Sequence, residues 1–347
     1  MDKNRFSIKS FHLPPHTLSF ITTNYCTAKC SNCCMQCSPY KKDRLSLEEM
    51  INYVDDALEN FPTIKLLVLT GGECFSLKYD LNKIVAYASS KGLRTRVVSN
   101  AYWASSFKKA YLLLKELKDV GLNELNLSTG DEHQVWIKYD NIVFAIVAAM
   151  KLDIDVVVNV ETKPDSKFSI LNMFSDPRLL YYLYHPQRYV LKILSGSWIE
   201  FNKSDKQVKS ICVSQKRCTN LFDSITINQY HQMLACCGLS TKYIPYLTIG
   251  DLKKASMKFI NYFQYNDFLK IWLFTEGPEK ILDFCKKNGN VNIDMKKIDH
   301  PCMACIRLFN DPLNINIINT NYKKICTRIL LKYFFLKESY VKQLKDI

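Results

Sequence analysis

Cys26-Thr-Ala-Lys-Cys30-Ser-Asn-Cys33 sets three cysteines in a C-x3-C-x2-C run. Three thiolates on one short loop can hold three irons of a [4Fe–4S] cubane, leaving the fourth iron open to a substrate or cofactor. A zinc site is the alternative, because Cys34 and Cys37 lie close enough in sequence to supply a fourth ligand. A second strip, Thr70-Gly71-Gly72-Glu73, stands out in a chain with only ten glycines among 347 residues. Paired glycines let backbone groups approach a ligand closely, and a carboxylate beside them can bind an ammonium group; a simple tight turn would not need the acid. A third set follows late in the chain: Cys218, Cys236 and the C-x2-C pair Cys302 and Cys305.

Residues so far apart need a scaffold that gathers them. Short β-branched or apolar runs at 17–24, 64–70, 94–99, 123–128, 154–160 and 189–193 alternate with amphipathic segments at 46–60, 78–91, 105–120, 139–151 and 167–184. Ser46 with Glu49 three residues on predicts a capping box. Repeated βα units predict an α/β fold with a parallel sheet covered by helices, either an open barrel or a doubly wound sheet. In both, chemistry sits at the carboxyl ends of strands. Cys26 follows the first expected strand, Gly71-Gly72-Glu73 the second, Asn100 the third and 129–133 the fourth. Beyond about residue 200 the alternation stops. A hairpin-like stretch at 224–236, helical patterns at 251–274 and a lysine-rich helix at 322–347 predict a second, less regular unit.

Composition narrows the setting. At 48% hydrophobic residues the chain can bury a sizeable core, while its longest nearly uncharged apolar stretch, 142–150, is too short to span a membrane. The N-terminal sequence has no apolar signal region, so a cytoplasmic location is expected. Fourteen cysteines in a reducing compartment argue for metal ligation or thiol chemistry rather than disulfides. A net charge of +14 favours anionic partners, whether phosphate, nucleic acid or an acidic peptide.

The C-x3-C-x2-C loop after the first strand, the Gly-Gly-Glu strip after the second and the βα scaffold together resemble the radical S-adenosylmethionine (SAM) enzymes. The resemblance implies a partial (β/α)6 barrel at 17–200, after an N-terminal segment 1–16. It is followed by a smaller auxiliary-cluster domain at 201–310 and a helical tail at 311–347. Cys26, Cys30 and Cys33 would hold a SAM-binding [4Fe–4S] cluster, and Gly71, Gly72 and Glu73 the methionine end of SAM. Ser99 and Asn100 match the family's polar contact after the third strand. Ser128, Asp131 and His133 match that after the fourth, with spacing altered by Gly130. The late cysteines resemble a SPASM or twitch extension, so Cys218, Cys236, Cys302 and Cys305 would hold one auxiliary [4Fe–4S] cluster. Cys212 is an alternative to Cys218, and Cys237 to Cys236. Its hairpin lacks the customary glycine, reading Asn228-Gln229-Tyr230-His231.

Cys33-Cys34-Met-Gln-Cys37-Ser-Pro39, Ser99-Asn100-Ala-Tyr-Trp103 and Ala-Cys236-Cys237-Gly238, with Cys302-Met-Ala-Cys305, are similar to the epipeptide epimerases. These are radical SAM enzymes that convert L- to D-residues in ribosomally made peptides. The implied reaction is Cα hydrogen abstraction by a 5'-deoxyadenosyl radical, completed by a cysteine hydrogen donor. Cys237 is the candidate donor, with Cys34, Cys37 and Cys74 also flanking the expected site. The implied partners are a precursor peptide and an electron donor such as flavodoxin or ferredoxin, not nucleic acid. About twenty residues precede the first strand, too few for a peptide-recognition domain, so any leader would be read by the core, the extension or another protein. Two other functions stand beside this one: a radical SAM enzyme forming thioether or carbon–carbon crosslinks, and a non-catalytic zinc protein binding nucleic acid.

Overall fold

The computed structural model describes residues 12–163, 165–185, 188–196, 217–289, 293, 295, 298 and 300–345. Six strands, β1 (Thr17–Ile21), β2 (Leu66–Thr70), β3 (Arg94–Ser99), β4 (Glu124–Thr129), β5 (Asp155–Glu161) and β6 (Leu191–Gly196), lie parallel in the order β6-β5-β4-β3-β2-β1. Helices α1 (Leu47–Asn60), α2 (Tyr79–Ser90), α3 (Phe107–Asp119), α4 (Asp131–Gln134), α5 (Tyr139–Lys151), α6 (Ile170–Phe174) and α7 (Pro177–Tyr184) connect them. This is the expected α/β architecture, and among the described residues the sheet stays open.

Local signals account for most boundaries. Ser46 caps α1 by the expected reciprocal bonds with Glu49, and Met50, Val54 and Ala57 form the buried stripe of that helix. One expectation fails at 167–184, which is two helices. Asp176 caps the second through the Arg178 N–H, and Pro177 begins it, having no N–H with which to continue the first. The expected helical stretch at 251–274 likewise begins one element late, because Asp251 closes a strand.

The sheet continues past β1. Strand β7 (Ser224–Asn228) pairs parallel with it, Thr17 opposite Ser224 through Ile21 opposite Asn228. Antiparallel β8 (Gln232–Leu234) and β9 (Thr248–Asp251) then complete a nine-stranded sheet. Helices α8 (Met257–Gln264), α9 (Phe268–Glu276), α10 (Pro278–Gly289), α11 (Pro301–Asn310), α12 (Pro312–Asn321) and α13 (Cys326–Lys345) follow. Two apolar cores result. One holds Leu18, Phe20, Leu69, Val97, Leu127 and Val158; the other holds Phe222, Trp272, Ile281, Leu308 and Tyr333. Ile317, Ile318, Ile329 and Tyr333 belong to the second core, so α12 and α13 pack into this unit. Among the described residues no helix is long and apolar enough to cross a membrane.

An ion-pair cluster fastens α13 to α9. The Glu276 carboxylate accepts from Arg328 at 2.6 Å, Lys332 at 2.9 Å and Trp272 Nε1 at 3.1 Å. Burial works against its charged form, but these donors outweigh burial and hold the carboxyl down at about 2. A depressed carboxyl stabilises the fold above its ordinary value of 4.5, and that contribution drains away as pH falls from 4.5 through about 2. Because Arg328 and Lys332 are half exposed, Glu276→Gln is expected to cost only about 1 kcal/mol at neutral pH. Thermal melts at pH 7 and pH 3 should show the variant's deficit shrinking in acid. An equal deficit at both would mean that charge is not what Glu276 contributes.

Candidate radical SAM site

The glycine strip lies directly against the segment that leads into the first cysteine. Gly72 N–H donates to Thr23 O at 2.7 Å and Glu73 N–H to Tyr25 O at 2.9 Å, extending the β1–β2 pairing past both strands. No side chain fits there. A Cβ on Gly72 would stand 1.9 Å from Tyr25 O, and one on Gly71, at φ +136°, would stand 2.7 Å from Thr23 O.

Glu73 is closed off from solvent. It is 0% exposed, and its carboxylate accepts from Ser99 Oγ and Asn100 N–H, both at 2.8 Å, and from Phe75 N–H at 3.1 Å. Burial pushes its pKa up to about 7 against the pull of these donors. Ser99, also buried, accepts in turn from Trp103 Nε1 and Ala101 N–H. Glu73 and Ser99 therefore organise the end of β3. Asn100 reaches the cysteines: its Nδ2 lies 3.5 Å from Cys26 Sγ and 3.2 Å from Thr27 Oγ1.

Cys26, Cys30, Cys33 and Cys37 pack together with Ala28 and Met35. Sulfur accepts backbone hydrogen bonds at two of them, from Ala28 N–H to Cys26 and from Cys37 N–H to Cys33. Burial and mutual repulsion push Cys26 and Cys30 up to about 12, whereas bonding from Cys37 holds Cys33 well below the usual thiol range. Thiols packed together are a soft donor set, and N–H groups aimed at sulfur suit an iron–sulfur cluster. Among the described residues no three His, Cys, Asp or Glu side chains converge as a single ion requires. A cubane takes its ligands at separate corners, whereas a single zinc needs them around one point.

On the β4 side, the Asp131 carboxylate accepts from the Lys167 and Phe168 N–H groups, fixing the loop after β5. His133 is buried, and burial pushes it down to about 4, so it is neutral at physiological pH. Ser128 sits in β4, pairing with Asn159. Gly130, which breaks the expected spacing, stands against Glu161, where a Cβ would fall 2.6 Å from the Glu161 Cβ. The sequence did not single out Asn32, Glu132, Glu161 or Lys163, which form a polar group beside the cysteine loop. Only Gly130, odd in its motif, hinted at a close neighbour there.

The second cysteine group gathers in the other core. Cys218, Cys236 and Cys305 pack within it, and the Cys236 and Cys302 sulfurs both lie 3.4 Å from where a Cβ on Gly238 would stand. Cys212 lies outside the described residues. In the hairpin, His231 takes φ +63°, the conformation a glycine would supply, and Asn228 Oδ1 accepts from Tyr230 and Gln232 N–H groups to hold the turn. Tyr230 OH then receives Asn24 Nδ2 at 2.6 Å. Cys237 is exposed while Cys236 is buried, and burial of its surroundings still pushes Cys237 up to about 12, so it stays a thiol. Beyond it, Lys242 Nζ donates to Met35 O at 3.1 Å, and Gln36 Nε2 to Tyr243 OH at 3.0 Å. The two cysteine-bearing loops thus touch. Cys34 and Cys74 are raised to about 12 and beyond by burial, and Cys74 lies wholly inside the first core.

Residues 20–160 match the sequence profile of the Radical SAM superfamily. The chain is 25% identical over 150 residues to YydG of Bacillus subtilis (strain 168), a protein named for peptide biosynthesis, covering 43% of this chain and 47% of that protein. It is 28% identical over 161 residues to the Fe-coproporphyrin III synthase of Methanosarcina barkeri (strain Fusaro / DSM 804), covering 43% of this chain and 38% of that one. The match spans less than half the length of either relative. Among solved structures, anSMEcpe with bound AdoMet aligns at TM-score 0.49 and 13% identity, over 92% of this chain and 99% of that chain. BtrN in complex with AdoMet and 2-DOIA aligns at 0.47 and 13%, over 82% and 98%. These two are likenesses of fold alone. With the cysteine loop, the glycine strip and the parallel sheet in place, the match over residues 20–160 supports a radical SAM enzyme, whose implied cofactors are a [4Fe–4S] cluster and S-adenosylmethionine.

Proposed function

We propose that this enzyme matures a ribosomally made peptide by inverting an L-residue at Cα, and that Cys237 delivers the hydrogen that completes the inversion. The carrying observation is the pairing of an exposed Cys237 with a buried Cys236, in a loop whose continuation touches the Cys33–Cys37 segment. Likeness to YydG, named for peptide biosynthesis, supports a peptide substrate. We read the second unit as a SPASM- or twitch-like extension whose Cys218, Cys236, Cys302 and Cys305 hold an auxiliary [4Fe–4S] cluster. The +14 charge suits an acidic precursor.

Cys26, Cys30 and Cys33 would hold the cluster, which with SAM would supply the radical chemistry for removing the Cα hydrogen. The protein's own residues then do three things. The glycine strip and Asn100 hold the methionine end and the cysteine loop in fixed register. Apolar packing around the cysteines keeps water away. Cys237 breaks its S–H bond and forms a C–H bond on the opposite face, becoming a thiyl. Restoring the thiol takes one proton from water and one electron from a reduced carrier such as flavodoxin or ferredoxin.

The test uses short peptides encoded beside the gene, incubated with the enzyme, SAM and reductant in deuterated water. Epimerisation adds one deuteron per inverted residue through the exchanged thiol, whereas crosslinking lowers the mass by two hydrogens. Cys237→Ser is expected to abolish inversion while SAM is still cleaved. Full inversion by that variant would overturn the assignment of the donor.

A further inference from the structure

The middle of the cysteine loop is tied down by residues that are neither thiols nor part of the glycine strip. Asn32, 3% exposed, donates through Nδ2 to Oε1 of Glu161, which ends β5 and is 1% exposed. Next to it, Ser31 Oγ donates to Glu132 Oε2 at 2.5 Å. Lys163 Nζ stands 3.3 Å from Glu161 Oε1 and 3.4 Å from Glu132 Oε1, so one ammonium joins both carboxylates. Gly130 makes the arrangement possible, since any side chain there would displace Glu161.

This group is not a bargain for stability alone. It buries a carboxylate and an amide, and among the described residues Glu161 Oε2 and Asn32 Oδ1 have no hydrogen-bond partner. Buried charge of this kind fixes position more reliably than it adds stability. Its target is Ser31-Asn32, the two residues that separate Cys30 from Cys33. We propose that Glu161, Glu132 and Lys163 form a latch that holds the Cys30–Cys33 segment on the carboxyl ends of β4 and β5, so that the cysteine triad is arranged before any iron arrives. Glu161 and Asn32 are positioning residues; neither needs to touch SAM.

The first arm of the test uses metal-free protein. Amide hydrogen exchange over residues 26–38 is compared in wild type, Asn32→Ala, Glu161→Ala and Glu161→Gln. Losing one buried charge-assisted hydrogen bond should speed loop exchange roughly tenfold or more in both alanine variants. Exchange in β2 and β3 should stay unchanged. Glu161→Gln should recover much of the protection, because its carbonyl oxygen still accepts the Asn32 amide. The second arm follows iron release to a chelator from reconstituted protein, expected in the same rank order. If Asn32→Ala exchanges and releases iron like wild type, the latch is refuted, and this stands even if Glu161→Ala does not fold. A wild type that takes up no iron would count against the radical SAM assignment but leave the first arm to decide the latch.

Discussion

Alanine at Cys26, Cys30 and Cys33 together is expected to abolish SAM cleavage and lower bound iron from about eight to about four atoms per chain. The three thiols pack together on one loop, and Cys37, the remaining thiol in that packing, has only Cys34 beside it in sequence. The retained iron would belong to the second group, which sits in a separate core around Cys218, Cys236 and Cys305. Iron, sulfide and zinc measured in anaerobically purified protein check this directly. Loss of all iron in the variant would remove the proposed auxiliary cluster, and the setting given to Cys237 would fall with it. Zinc in place of iron in the wild type would sink the radical reaction altogether.

Gly72→Ala should be nearly as damaging, though it touches no thiol. Its Cβ would meet Tyr25 O at 1.9 Å and Tyr25 C at 2.6 Å, and both are backbone atoms that cannot swing aside. Relief requires the strip to move off the Thr23–Tyr25 segment, breaking the Gly72-to-Thr23 and Glu73-to-Tyr25 hydrogen bonds. Overpacking and two lost bonds cost about 3 kcal/mol or more. That corresponds to a melting temperature lower by roughly 6 °C or more, together with loss of SAM binding. Gly196→Ala is the control, with nothing among the described residues within 4 Å of its new Cβ, and should change stability by no more than about 0.5 kcal/mol. A Gly72→Ala protein that melts and binds SAM like wild type would show that close backbone approach is not what the glycine pair provides.

Much of the first sheet was legible from hydrophobic runs. Strand β3 spans Arg94–Ser99 as expected, and α5 spans Tyr139–Lys151. Local patterning sufficed there because each buried side chain in these elements repeats at its own period. It misjudged 167–184, where apolar periodicity runs through a capping Asp176 and a Pro177 that end one helix and start another. In the site, spacing singled out the cysteines, the strip and Ser99 one by one, but not the bond between Glu73 and Ser99. Their side chains face inward and bond each other, a partnership between residues 26 positions apart that no local pattern encodes. Asn32 and Glu161 escaped notice for the same reason, being 129 positions apart.

The pairing of β1 with β7 places a strand made early between neighbours made late. Thr17–Ile21 is flanked by Leu66–Thr70 on one side and by Ser224–Asn228 on the other. During synthesis β1 must therefore present one unpaired edge until some two hundred further residues have emerged, and closing so large a loop is slow. An open, apolar parallel edge invites pairing with another chain. A fragment cut near residue 200 would keep that edge permanently. Yield of such a core domain alone should be limited by aggregation, because the strand of the second unit that covers this edge would be missing.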